Sequence, residues 1–179
     1  MREDVTGSDD VRFGVAIAVP EPHGERLRAC RAGFGDPLAA QVPSHVTLLP
    51  PDAVPGDGLA CLAGRLHDVA RRTAPFEITL QGTGTFRPVS PVVFVAVSRG
   101  IAETEILAAR LREAVDPPPA DFPFHPHVTV AQYLDDAALD RAYADLAGFS
   151  CTFAVSEFAL YLHDDRAGWS PQDRFALTG

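Results

Sequence analysis

Lysine is absent from the chain: all 15 basic residues are arginine, set against 24 acidic ones, for a net charge of −9. That balance excludes an extended groove tracking a nucleic-acid backbone, because such binding gains its affinity by neutralising many phosphates with basic side chains. A small phosphorylated molecule, or only the end of an RNA, stays compatible with it. Cysteine is scarce as well. Cys30, Cys61 and Cys151 are far apart, odd in number and form no C-x-x-C pair, which points to buried thiols in a reducing cytoplasm and excludes a disulfide framework. Long apolar runs are missing: stretches such as Val92 to Val97 fall far short of the roughly 20 residues of a membrane span. The first ten residues are largely polar with acidic residues outnumbering the one arginine, unlike a signal peptide. A cytoplasmic monomer without a membrane association is expected.

What is present suits one compact unit. With 179 residues and 46% hydrophobic content, the chain can bury a substantial core. A flexible tail over residues 1–11 and a single domain over 12–179 are expected. Hydrophobic periodicity predicts a strand over 12–20, a helix within 21–35, and a strand from His45 to Leu49 that the prolines Pro50 and Pro51 close. A Gly/Pro loop over 53–58 leads to a helix over 59–72. Strands at 76–80 and 92–97 follow, with the Gly82-Thr83-Gly84 stretch between them read as a connection around Arg87-Pro88. A helix over 101–115 ends at the proline cluster 117–119, and a strand runs over 127–134. Asp135 caps a helix to Leu146, then one long strand spans 152–163 and a short one 175–177. The order is coarsely duplicated, which predicts two pseudo-symmetric lobes with the handover between Gly82 and Pro91.

Each half carries one copy of the same tripeptide, His45-Val46-Thr47 and His127-Val128-Thr129, 82 residues apart. On a strand, residues i and i+2 share a face, so each His and Thr project together while the valines turn the other way. That arrangement suits half of a polar cleft better than a core. Imidazole has an ordinary pKa near neutrality, so one histidine can act as base and the other as acid. On a cyclic phosphodiester the base would take a proton from attacking water and the acid would protonate the departing oxygen. Thr47 and Thr129 would bond the non-bridging phosphate oxygens. The scheme requires no metal or other cofactor.

His45-Val46-Thr47-Leu48-Leu49-Pro50-Pro51 and Phe124-His125-Pro126-His127-Val128-Thr129-Val130-Ala131 resemble the two signature segments of the 2H phosphoesterase superfamily, in its bacterial 2'-5' RNA ligase-like and cyclic phosphodiesterase branch. The resemblance spans about residues 12–178. It implies an α/β fold of the α+β type, bilobal, with two antiparallel sheets around a central cleft and helices outside. It also implies catalysis by His45 and His127, phosphate contacts from Thr47 and Thr129, and 2',3'-cyclic phosphate substrates: RNA ends, small cyclic nucleotides or an ADP-ribose cyclic phosphate. The alternative is a 2'-5' RNA ligase-like activity served by the same acid–base pair, or a nucleotide- or RNA-end-binding protein with little turnover. Many relatives carry an arginine shortly after the second motif where this chain has Gln132, which strand parity places on the core side with Val128 and Val130.

Other polar residues are weaker candidates. Arg87 offers a planar guanidinium to a phosphate. Tyr133 falls on the cleft parity and could stack on a base. Tyr161 and His163 share a strand face, and His125 shares the parity of His127. His163-Asp164-Asp165 has no recognised metal-ligand spacing, so no metal site is expected.

Overall fold

The computed structural model describes residues 10–179. It contains eight strands: β1 (Asp10–Ala18), β2 (His45–Pro55), β3 (Phe76–Thr85), β4 (Val92–Arg99), β5 (His127–Gln132), β6 (Ser150–Val155), β7 (Glu157–Asp164) and β8 (Gly168–Ala176). Four α-helices join them: α1 (His23–Gly33), α2 (Leu59–Ala70), α3 (Ile101–Val115) and α4 (Asp136–Asp145). The strands form two antiparallel sheets, sheet A in the order β2-β1-β7-β8 and sheet B in the order β5-β4-β3-β6. The fold is therefore α+β and two-lobed. Helices cover the outer, apolar sheet faces: α2 and α3 lie against sheet A, and α1 and α4 against sheet B. One continuous core joins them through Phe13, Val15, Ile17, Leu66, Val95, Leu107 and Leu139, all buried.

Sheet A takes β1 and β2 from the start of the chain and β7 and β8 from its end, whereas sheet B is contiguous in sequence. The handover thus falls after α2 and again at Ser156, not within 82–91, where β3 and β4 form a hairpin inside sheet B. The single strand expected over 152–163 is two strands, β6 and β7, separated by Ser156 alone and belonging to different sheets. A one-residue break leaves no turn signature to read.

Further differences have local causes. β2 runs through Pro50 and Pro51 to Pro55 because it is an edge strand, and its register with β1 jumps from Leu49 opposite Val15 to Asp52 opposite Phe13. The two prolines sit in that irregularity, where no ladder donor is needed. Residues 56–58 form a 3₁₀ turn. β3 continues through 82–85 after a register shift between Leu80 and Thr83, so the glycine-rich stretch is strand. The helix α3 ends on Asp116 in the left-handed region (φ 55°), just before the prolines. β8 is longer than the three residues expected because its polar Ser170–Asp173 segment lies exposed at a sheet edge. Asp135 does cap α4, accepting from the Ala138 amide at 2.7 Å. Cys61 is exposed, unlike Cys151. β1 begins at Asp10, inside the expected tail, whose residues 1–9 lie outside the described residues.

Candidate active site

The two motif strands are the edges of their sheets, and these edges lie against each other. His45, Thr47, His127 and Thr129 are half-buried, while Val46, Leu48, Val128 and Val130 behind them are fully buried. The two copies match beyond their letters. His45 pairs with Ala18, Val46 with Ile17 and Thr47 with Ala16; His127 pairs with Ala96, Val128 with Val95 and Thr129 with Phe94. In each strand the next residue is then skipped, so Leu49 meets Val15 and Ala131 meets Val93. Both strands bulge at the third residue after the histidine.

Each imidazole is held in the same way. Nδ1 of His45 lies 2.6 Å from the Pro43 carbonyl oxygen, and Nδ1 of His127 lies 2.6 Å from that of His125. A carbonyl only accepts, so Nδ1 carries the proton and donates it, leaving Nε2 as the nitrogen that can exchange one. Burial pushes both imidazoles below the usual 6.5, opposed by these carbonyl bonds. The Arg31 charge lowers His45 further, and the charges of His125 and His45 do the same to His127. Arg31 is itself buried behind the site and paired with Asp36 at 2.8 Å.

The other expected residues divide. Tyr161 lies opposite Gly14 on the face that carries Thr47 and is buried beside the motif. A cavity of about 90 Å³ is lined by His45, Thr47, Gly14, Pro51, Tyr161 and Trp169. His125 is exposed but packs near His127, with ring centroids 5.9 Å apart, and both contact Phe86 and Phe94. Arg87 is directed to α4, its guanidinium 2.9 Å from Asp140 and 3.6 Å from Asp136, so these carboxylates compete with any phosphate for it. Tyr133 is 76% exposed, with a left-handed backbone (φ 53°) beyond the end of β5.

Gln132 corrects the parity argument. Residues directly opposite on antiparallel strands share a face. Gln132 pairs with Val92, two residues from Phe94, which pairs with Thr129. The bulge at Val130 has therefore moved Gln132 onto the motif face and Ala131 into the core. Trp169 and Phe94 were missed as site residues. The single tryptophan opens β8, a strand largely unread in the sequence, and Phe94 sits in a continuous apolar run that hides its face. Among the described residues no three His, Cys, Asp or Glu side chains converge as metal ligands. His163 packs on Trp169 instead, with ring centroids 5.0 Å apart.

Known proteins share this architecture. A family model described as the 2'-5' RNA ligase superfamily matches residues 19–167. A Bacillus cytotoxicus protein named "Putative phosphoesterase" is 28% identical over 173 residues, covering 93% of this chain and 97% of its own length. E. coli LigT in apo form superposes with a TM-score of 0.74 at 27% identity, covering 96% of this chain and all of its own. E. coli LigT complexed with 3'-AMP superposes at 0.72 with 25% identity, covering 95% and 99%.

Proposed function

Because the chain belongs to the 2'-5' RNA ligase superfamily, we propose that it hydrolyses cyclic phosphodiesters, with 2',3'-cyclic phosphates as substrates and His45 and His127 as the acid–base pair. The observation that carries this reading is the doubled clamp: two imidazoles at equivalent register positions, each with Nδ1 tied to a carbonyl two residues back and Nε2 left free. The reaction balances with no further reactant than water. One neutral Nε2 takes a proton from water as the oxygen bonds to phosphorus. The bond from phosphorus to one ribose oxygen breaks, and the other imidazolium gives that oxygen its proton, leaving a phosphomonoester. Ligation would run the same steps with a ribose hydroxyl of a second nucleotide in place of water: its proton goes to the base, its oxygen bonds to phosphorus, and the departing ribose oxygen takes the acid's proton, leaving a phosphodiester. Thr47 and Thr129, on the same face as their histidines, donate to the non-bridging oxygens.

The test is a panel of 2',3'-cyclic nucleotides assayed with and without exhaustive chelation. Turnover that survives chelation is expected; turnover abolished by it and restored by a divalent cation would overturn the scheme. Thr47→Val and Thr129→Val are each expected to lower kcat by roughly 10- to 100-fold, the value of a hydrogen bond to a charged group. A change confined to KM would move the threonines from transition-state to ground-state contacts.

The pH dependence follows from the depressed imidazole pKa values. In the free protein both rings are neutral at pH 7, yet the reaction needs one protonated. Lowering the pH from neutrality first supplies the acid and then, below both pKa values, removes the base, so kcat/KM should peak on the acid side of 6.5. A bound phosphate anion favours imidazolium, so the kcat optimum should lie higher than that of kcat/KM. Parallel profiles of the two constants check this, and a kcat/KM maximum well above pH 7 would contradict it. For stability the sign is the same: folding holds both rings neutral, a contribution present above 6.5 and lost as pH falls through the depressed values.

A second reading, nucleotide binding without turnover, draws support from E. coli LigT having been solved with 3'-AMP. Saturable binding of a 3'-nucleotide with no product from any cyclic phosphate after prolonged incubation would favour it.

A further inference from the structure

The two halves of the molecule differ in what covers the floor beside each motif threonine. Thr129 lies opposite Phe94, and at the matching position Thr47 lies opposite Ala16. In sheet B the Phe94 ring lies across Gly84, where a Cβ would stand 2.5 Å from its edge. Phe86 packs on that ring with centroids 4.5 Å apart, so the floor is filled. In sheet A the corresponding positions hold Ala16 and, opposite it, Ala159. Gly14 adds to the gap: a Cβ there would meet the Trp169 indole at 3.6 Å. What remains is the cavity of about 90 Å³ whose lining includes His45, Thr47, Pro51, Tyr161 and Trp169.

Resting on the hydrolase reading above, we propose that this cavity takes the nucleobase of a nucleoside 2',3'-cyclic phosphate, so that the ring lies on the His45 side of the phosphate and not on the His127 side. The half-buried Trp169 indole offers a flat ring stacking area at little entropic cost, with the Tyr161 phenol buried beside it, and the small side chains of the floor let a base approach the sheet. The cavity is smaller than the roughly 150 Å³ that encloses benzene in an engineered core, and it opens to solvent, so a base enters by one edge with the rest outside. His163 packs against the indole and fixes its position.

Trp169 is the chain's single tryptophan, so its fluorescence reports on this cavity alone. Titration of the wild-type protein with 3'-CMP should give a saturable fluorescence change that inorganic phosphate does not give. The same change with phosphate, or none with 3'-CMP at concentrations that inhibit turnover, would overturn the proposal. The kinetic arm compares kcat/KM for cytidine 2',3'-cyclic phosphate with that for glycerol 1,2-cyclic phosphate, which has no base. Trp169→Ala should cut that ratio by about tenfold or more, and Trp169→Phe should restore most of it. An unchanged ratio in the alanine variant would sink the idea. If the wild type turned over neither diester, the hydrolase reading would fall, and the fluorescence titration would still decide whether the cavity takes a base.

Discussion

Replacing His45 or His127 with alanine is expected to lower turnover of 2',3'-cyclic nucleotides by about 10²–10⁴-fold, the range for loss of a positioned proton-transfer group. The two changes should not add. Acid and base act in one displacement, so the double variant should be nearly as active as the poorer single one. The fold should tolerate both changes, because each imidazole is half-buried and its hydrogen bond goes to a carbonyl that solvent can reach in its absence. Steady-state rates alongside urea unfolding curves check this. Turnover unchanged in either variant would remove that histidine from the chemistry.

The largest stability effect is expected behind the site, at Asp36→Ala. Arg31 and Asp36 are 6% and 1% exposed in their side chains, and Arg31 Nε donates to Asp36 Oδ2 at 2.8 Å. Asp36 Oδ1 also accepts from the Leu38 amide at 2.9 Å, holding the turn that leads towards β2. Removing the carboxylate leaves a buried guanidinium uncompensated, which costs about 3–5 kcal/mol. Adding Arg31→Met removes the stranded charge and should recover most of that loss, as measured by urea unfolding. The electrostatic reach of Arg31 to His45 adds a second readout. With its partner gone, the guanidinium should depress the His45 pKa further and move the acid limb of kcat/KM to lower pH. Unfolding within 1 kcal/mol of wild type would mean that solvent reaches Arg31.

The sites legible in the sequence were those that obey a fixed period. His45 and Thr47 face one way and Val46 the other because a strand alternates, and the burial follows. The period fails where a residue is inserted, and the bulges at Leu48 and Val130 cannot be read because their neighbours Leu49 and Ala131 are apolar too. A run of apolar letters looks the same with or without a bulge. The insertion at Val130 moved Gln132 to the motif face, and Tyr133 falls beyond the end of β5 where strand parity no longer applies. The crossing at Ser156 was hidden for a different reason: the apolar phase shifts there, from Phe153 and Val155 to Phe158, Leu160 and Leu162, but no glycine or proline marks the point where the chain passes from one sheet to the other. Arg87 shows a different limit, since only the packing of α4 brings Asp136 and Asp140 to its guanidinium.

The split origin of sheet A bears on how the molecule is made. All four strands of sheet B come from one unbroken stretch, 76–155, and can pair as that stretch leaves the ribosome. By then β1 has only β2 beside it, and its other edge waits for β7. The strands that surround His127 are thus complete first, while Tyr161 and Trp169, which line one cavity with His45, are added by the last residues synthesised. A chain released early, before residue 157, would carry both motifs and an open sheet edge next to one of them, a surface suited to pairing with other chains.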